Sequence, residues 1–375
     1  MRTPIRAALF HGPGRPLELA EVLLDEPAAH EVVVRTQRAG LCHSDLHYIN
    51  GALSIATPAV LGHEVAGVVQ TVGAAVTNVA PGDRVVATIT PSCGLCRACL
   101  RGRPTQCERV EQARRRDRPK LITSGGDEVT ALGDLGGFAE AFLASERSLA
   151  KLPPDLDPAV ACLLGCCVST GVGAALHGAK VTAEDTVAVI GCGGVGIAAV
   201  QGARLAGARR VVAVDAAAGK LPIARSFGAS DAVLADPDPA ITLGRLRELL
   251  PGGFSHTIEA VGRAQTAELA FGALAPGGTA TILGLMPGGE RLSISADALV
   301  YGDRGLRGAY MGASRFLSDV EVYTDHYRAG RLDLDAMITA ELPFARINDG
   351  FALMPDPGTI RVVLAVSGEP ATRPS

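Results

Sequence analysis

Over roughly the first 150 residues the chain alternates short apolar, β-favouring runs with glycine and proline turns; EVVVR, VAGVVQTVG and DRVVATI are examples. Frequent short strands with turn signals predict a β-rich, barrel-like unit. From about Thr186 the pattern changes. TVAVI reads as a buried strand, and a glycine-rich turn leads into VGIAAVQGARLAG at helical spacing. RRVVAVD is a second strand and AGKLPIARSFG a second helix. HTIEAVG and GTATILG are further strands, with a helix in AQTAELAFGALAPGG between them. Strands alternating with helices predict βαβ units and a parallel sheet with right-handed crossovers. The tail from about Gly312 adds a helix, SDVEVYTDHYRAG, and a last strand, IRVVLAV.

Composition narrows the class. With 375 residues there is room for two domains of ordinary size. A net charge of −4 gives no global basic field for nucleic acid or anionic lipid. The longest apolar stretch, around Ala159 to Val168, covers about ten residues, too few to span a bilayer. The N-terminus has no apolar core of signal-peptide length. Nine cysteines without a secretion signal point to a reducing cytoplasm.

Four of those cysteines stand together. Cys93, Cys96, Cys99 and Cys107 form C-x2-C-x2-C-x7-C, a spacing that lets one loop wrap a tetrahedral metal. A closed structural zinc site is the expectation, with an iron–sulfur cluster the main rival. A closed site has no open position, so the chemistry must lie elsewhere.

Gly191-Cys192-Gly193-Gly194-Val195-Gly196 is a G-x-G-x-x-G element between a strand and a helix. In that context Gly191 permits the tight turn, Gly193 lets the backbone approach a pyrophosphate, and Gly196 allows close helix–sheet packing. Asp215 ends the next strand, where a carboxylate suits ribose hydroxyls and repels a 2′-phosphate, so NAD is expected over NADP. The plainer reading is a structural turn with Asp215 as a helix cap.

A second constellation comprises Cys42 with Ser44, Asp45 and His47, then His63-Glu64, then Cys166. Two cysteines and a histidine are a known open zinc set, whose fourth position holds water or substrate. The spacing of these three carries no local signature, and a lone buried Cys or His is more often core than ligand.

GLCHSDLH (40–47), LGHEVAG (61–67), the four-cysteine lobe, GCCVSTG (165–171), GCGGVG (191–196), VAVD (212–215) and IRVV (360–363) occur in one order over nearly the whole chain. In this the chain resembles the zinc-dependent medium-chain alcohol dehydrogenases, whose catalytic metal has the Cys2His set. The resemblance implies an α/β chain: a GroES-like, β-rich catalytic domain (1–167 with 311–375) and a Rossmann doubly wound NAD-binding domain (168–310). It implies two zinc ions per chain and NAD, acting on a small alcohol or aldehyde. It also implies a cytoplasmic homodimer of the dimeric branch, which includes thiol-dependent formaldehyde dehydrogenases. The expected activity is reversible oxidation of a primary alkyl, terpenoid or aromatic alcohol. A thiol-adduct formaldehyde dehydrogenase and a non-catalytic NAD-binding protein are the alternatives.

By the same resemblance, Cys42, His63 and Cys166 match the catalytic zinc ligands, with Glu64 the nearby acid and Asp45 the carboxylate that orients the ligand histidine. Ser44 matches the hydroxyl that contacts the alcohol and His47 the outer end of a proton relay. His43 and Arg361 match pyrophosphate contacts. Thr170 and Val195 hold the nicotinamide, Lys220 lies beside the adenosine ribose, and Val261 and Arg263 line the cofactor groove. Phe138, Leu285 and Tyr310 fall on the substrate channel, with Met286 and Leu53 as weaker candidates. Cys167 and Cys192 depart from the family's usual residues, and Cys162 is expected in the core. The basic run Arg114-Arg115-Arg116-Asp117-Arg118-Pro119-Lys120 reads as a solvated loop, or as an anion site at the channel mouth.

Overall fold

The protein is described from a computed structural model covering residues 2–115 and 117–368. Arg116 of the basic run lies outside the described residues. Among the described residues the strands fall into three sheets. The first closes on itself in the order Thr3–Phe10, Glu18–Leu24, Leu121–Thr123, Glu128–Ala131, Ala59–Val60. The second runs Leu149–Lys151, Arg84–Ala87, Glu64–Val72, Glu31–Gly40, Arg361–Ala365, Ile338–Pro343, and Ala141–Ser145 also pairs with Glu31–Gly40. Val22, Val32, Val34, Val65 and Val85 project from these strands into one core with the β-rich unit's aromatics.

The third sheet is parallel throughout, in the order Asp231–Leu234, Arg210–Asp215, Thr186–Ile190, Phe254–Glu259, Leu274–Ile282, Gly305–Gly308. Thr186–Ile190 is buried along its whole length, as its continuous apolar pattern requires. The helix after the glycine turn spans Gly194–Leu205 and the tail helix Phe316–Arg328, both within two residues of their patterns. The expected helix near residue 264 stops at Gly272, because Leu274–Ile282 already pairs in the sheet. Three strands escaped the pattern: Asp231–Leu234 and Gly305–Gly308, four residues each and only partly buried, and Ile338–Pro343.

The last strand crosses back to the first half. Arg361–Ala365 pairs antiparallel with Glu31–Gly40, Val363 opposite Gly40. Close helix packing makes the other join. The helix Cys167–Gly173 lies on Gly194–Leu205 so tightly that a Cβ on Gly171 would stand 2.3 Å from the Val195 carbonyl oxygen.

No single helix among the described residues is long and apolar enough to cross a membrane. The pair Pro158–Leu164 and Cys167–Ala179 passes by length and composition but is bent by 50°. It is buried within the protein core.

Candidate functional site

Strand register assembles the metal site. Gly40 pairs with Glu64, so the end of one strand meets the start of the next, and Cys42 comes to face His63. Cys166 arrives from the N-terminal end of the helix Cys167–Gly173. The donor atoms of Cys42, His63 and Cys166 all lie within 4.8 Å of one another, and all three residues are buried. Asp45, with no exposed surface, holds this arrangement. One carboxylate oxygen accepts from the Cys42 amide at 3.2 Å. The other lies 3.0 Å from the Gly62 amide and 3.2 Å from His63 Nδ1. This leaves His63 Nε2 for the metal, the usual carboxylate–histidine–metal order.

Electrostatics agree with a donor set. A hydrogen bond with the Cys166 thiol, against the pull of burial, holds Cys42 well below the ordinary thiol range. The same bond, with burial, raises Cys166. Burial lowers His63, but the charges of Asp45 and Cys42 outweigh it and the net shift is upward. Two sulfurs and an imidazole at these distances suit zinc with one position left open. Ser44 Oγ is 3.7 Å from Cys42 Sγ. Ile89 and Met311 close the apolar side of the cluster.

Cys166, and not Cys167, belongs to the donor set. Cys167 is fully buried, with its thiol toward the Leu163 carbonyl at 3.7 Å. Glu64 is buried beside it and pushed up to about 7, chiefly by burial and against the charge of Arg361. Arg361 Nη2 stands 3.6 Å from Glu64 Oε2, and its Nη1 donates to the Leu41 carbonyl at 3.1 Å.

The four-cysteine lobe fits a closed zinc site. Its sulfurs also lie within 4.8 Å of one another, with Cys93–Cys99 and Cys96–Cys107 both at 4.0 Å. A tetrahedron of sulfurs around zinc has an edge of about 3.8 Å. Backbone amides aim at the sulfurs: Cys96 N at Cys93 (3.2 Å), Cys93 N at Cys107 (3.3 Å) and Arg109 N at Cys107 (3.4 Å). The Cys99 amide lowers Cys96 to about 6, so one thiolate is available near neutrality.

The glycine loop fits a dinucleotide. Gly191 has φ +94°, and a Cβ on Gly196 would lie 1.7 Å from the Gly191 carbonyl oxygen. Arg361 Nε is buried without a hydrogen-bond partner and points at Gly194. An orphaned guanidinium N–H at a helix N-terminus is a ready phosphate donor. His43 and Lys220 lie within electrostatic reach of the same place; desolvation and then the Arg361 charge lower His43. Asp215 accepts from the Cys192 amide at 2.7 Å and from Ala217 N at 2.8 Å. It thus braces the glycine loop and does not cap the next helix, whose N-cap is Gly219, and each oxygen keeps a second lone pair for a ribose hydroxyl. Val261 packs on Gly191, and Thr170 lies one residue before Gly171 at the helix contact with Val195. Arg263 is exposed at the start of the helix Ala264–Gly272.

The residues expected on the substrate channel lie in different settings. Phe138 has no exposed surface; its ring meets Phe351 edge-on at 6.0 Å and packs against Gly62. It packs beside Gly62, next to His63 in the chain. Leu285 and Met286 line a groove of about 350 Å³ along the outer strand Gly305–Gly308. Tyr310 is half-exposed and within electrostatic reach of Cys166 and His63. Tyr48, Ile89 and Met311 were not found from the sequence. Tyr48 alone had a signal, its i+4 spacing from Ser44 on one helix.

Among its described residues the basic run is solvated only in part: Asp117 and Arg118 are exposed, while the side chains of Arg115 and Lys120 are buried. Arg115 is buried and pairs with Asp25 and Glu31, Arg118 pairs with Asp25 at 2.7 Å, and Lys120 pairs with Asp134 at 2.7 Å. The cations turn inward onto carboxylates that the sequence reading did not connect with them.

Comparison with known proteins agrees with this geometry. Residues 28–154 match the alcohol dehydrogenase GroES-like domain, and residues 194–325 match the zinc-binding dehydrogenase family. An alcohol dehydrogenase class-3 from Myxine glutinosa is 36% identical over 365 residues, which cover 96% of this chain and 97% of that protein. The crystal structure of an alcohol dehydrogenase zinc-binding domain protein from Burkholderia ambifaria superposes with a TM-score of 0.91 at 28% identity, covering 98% of this chain and 100% of that one. Benzyl alcohol dehydrogenase from Acinetobacter calcoaceticus gives 0.89 at 25% identity, over 97% of this chain and 100% of that one. The two-zinc donor sets, the dinucleotide loop and these matches together make the chain a member of the zinc-dependent, NAD-linked alcohol dehydrogenase family.

Proposed function

We propose that the protein oxidises a primary alkyl, terpenoid or aromatic alcohol to its aldehyde, reversibly. The observation that carries this reading is the open donor set Cys42, His63 and Cys166 beside Ser44, joined to the glycine loop through Arg361. When bound, zinc supplies a Lewis acid and NAD a hydride acceptor. Asp45 holds His63 in the tautomer and orientation for the metal. Ser44 Oγ takes the alcohol proton, and His47, three residues on in the same helix and partly exposed, hands it to solvent. Arg361 and His43 bind the pyrophosphate of the dinucleotide, Lys220 lies beside the adenosine ribose, and Asp215 reads that ribose. Met311 and Ile89 exclude water from the apolar side of the donor set.

Residues 1–167 with 311–375 form the catalytic unit in this reading, and 168–310 the coenzyme unit. Sheet membership supports the division, since the strand Arg361–Ala365 joins the first half. A homodimer is favoured by the outer strand Gly305–Gly308, which ends its sheet beside exposed Leu299, Val300 and Tyr301. The cytoplasm suits nine free cysteines. The thiol-adduct alternative rested on the basic run, in which Arg115, Arg118 and Lys120 are paired with carboxylates.

The test is NADH release across alkyl, terpenoid and aromatic alcohols, each with and without glutathione. Turnover without thiol by protein holding two zinc ions is the expected result. Turnover of formaldehyde with glutathione alone, or of nothing, overturns the reading.

A further inference from the structure

A small cavity lies where four parts of the chain meet, and none of its walls is a metal donor or a glycine-loop residue. Thr88 and Thr90 come from the segment after the strand Arg84–Ala87, Ser92 and Thr105 from the four-cysteine lobe, Arg147 from the turn Glu146–Ser148, and Ser314 from the turn before the helix Phe316–Arg328. The first two residues of that helix complete the wall, and no carboxylate lines it among the described residues. Thr88 and Ser314 are each only 1% exposed.

The polar groups around this cavity are donors without acceptors. Ser314 Oγ is buried and has no hydrogen-bond partner. The turn before it fixes it there. Met311, Gly312 and Ala313 take φ values of 48°, 67° and 54°, Gly312 sits against the Thr170 carbonyl, and the Ser314 amide donates to the Met311 carbonyl at 3.2 Å. Such strain persists only where packing holds it. Thr88 and Thr90 share one hydroxyl–hydroxyl bond at 3.0 Å, so one of their two hydroxyl protons remains to donate. The helix Phe316–Arg328 is 13 residues long and has no side-chain cap. Its Phe316 and Leu317 amides reach no acceptor among the described residues, and they form the positive end of the helix dipole. Asp319, the acid of its first turn, is engaged by the Arg315 amide at 2.6 Å and by His177 at 2.9 Å. Arg147 is partly buried, and its guanidinium makes no ion pair or hydrogen bond among the described residues.

A guanidinium, two helix-end amides and hydroxyl protons, with no carboxylate opposite them, select an anion. The cavity volume of about 10 Å³ admits one particle near the size of a water and no tetrahedral oxyanion. We propose that this cavity binds a single halide ion, chloride in size, which ties the four-cysteine lobe to the helix Phe316–Arg328. Between Cys93 and Arg109 the lobe carries four arginines against the one acid Glu108, which offsets the charge of its thiolates. The site also touches the catalytic side of the molecule. Ile89, between the two threonines, and Met311, three residues before Ser314, both pack on Cys42 and Cys166. A bound ion therefore steadies the two segments that carry the apolar wall of the donor cluster.

The experiment compares the sodium salts of chloride, bromide, sulfate and gluconate at one ionic strength, on the two-zinc protein. One readout is the thermal midpoint Tm, and the other is the anomalous X-ray signal of bromide in crystals grown with it. An ion that binds only the folded protein raises Tm, and halides should do so by about 1–3 °C over gluconate. Arg147→Ala should lose that increment, Arg147→Lys should keep part of it, and Ser314→Ala should reduce it. General salt effects act on every variant alike, so the difference between wild type and Arg147→Ala cancels them. Bromide should give a peak in the cavity of the wild type and none in Arg147→Ala. A cavity holding only water in bromide crystals overturns the inference. So does a halide increment that survives Arg147→Ala, or a sulfate increment that needs Arg147 as much as the halide one does. Neither readout involves an alcohol, so failure here leaves the proposed function standing.

Discussion

Asp45→Asn tests how the metal site is held together. Asp45 accepts three hydrogen bonds in a fully buried setting, one through Oδ2 from Cys42 N and two through Oδ1 from Gly62 N and His63 Nδ1. Asparagine can keep its carbonyl oxygen on Gly62 and His63. Its amide must then face the Cys42 amide, donor against donor. One buried N–H loses its partner, at a cost of about 1–3 kcal/mol. The charge that favours a metal-ready His63 is lost as well, and carboxylates in this position carry about 10–100-fold in metal affinity. That range corresponds to about 1.4–2.7 kcal/mol. The assay is zinc per chain after equilibration with graded chelator. The four-cysteine lobe is an internal control, because Asp45 makes no contact with it. The variant should drop from two zinc ions to one at chelator levels that leave the wild type with both, and its alcohol turnover should fall in parallel. Wild-type chelator resistance in Asp45→Asn would refute the reasoning. So would loss of both metals together, since that would mean general unfolding.

Cys96→Ser should remove the structural metal and lower soluble yield, because a closed zinc site contributes folding energy; zinc content and thermal stability check it. Ser44→Ala should cut alcohol turnover by roughly a hundredfold or more, as loss of a positioned acid–base group does, with both metals retained. Gly196→Ala places a Cβ 1.7 Å from the Gly191 carbonyl oxygen, so NAD titration should show binding weakened far more than zinc content. Asp215→Gly should relax discrimination against NADP, and it should also loosen the glycine loop, since the Cys192 and Ala217 amides lose their acceptor. NAD affinity should therefore fall even as the NADP-to-NAD ratio rises, which steady-state kinetics with both dinucleotides resolves.

Local chemistry was legible in the sequence where neighbours in sequence are neighbours in space. The four cysteines of the lobe and the glycine loop each occupy one short segment, so spacing alone reports their geometry. The set Cys42, His63 and Cys166 spans three elements and needed the resemblance to find it; the structural reason it forms is the Gly40–Glu64 register. Phe138 could not be placed from sequence, because whether a phenylalanine lines a channel or backs its wall depends on contacts such as Phe351, over two hundred positions away. The basic run was legible only in part for the same reason. Arg115, Arg118 and Lys120 look solvated next to one another, and their partners Asp25, Glu31 and Asp134 come from other parts of the chain.

The helix His43–Ile49 shows how little chain the site requires. Successive residues on a helix point about 100° apart. His43 turns toward Arg361 and Lys220, Ser44 toward the Cys42 sulfur, and Asp45 inward to Gly62 and His63. In the function proposed above, one turn therefore serves the dinucleotide, the metal's open position and the ligand histidine in three different directions. The register of that turn is fixed at its start: the Cys42 amide is tied to Asp45, and Leu41 is tied to the last strand through Val362 and Arg361. A shift of one residue would exchange all three directions at once. The strand Arg361–Ala365 must therefore return from the far end of the sequence to pair with Glu31–Gly40. It sets the angle at which the helix starts, and with it which side chain meets which chemistry.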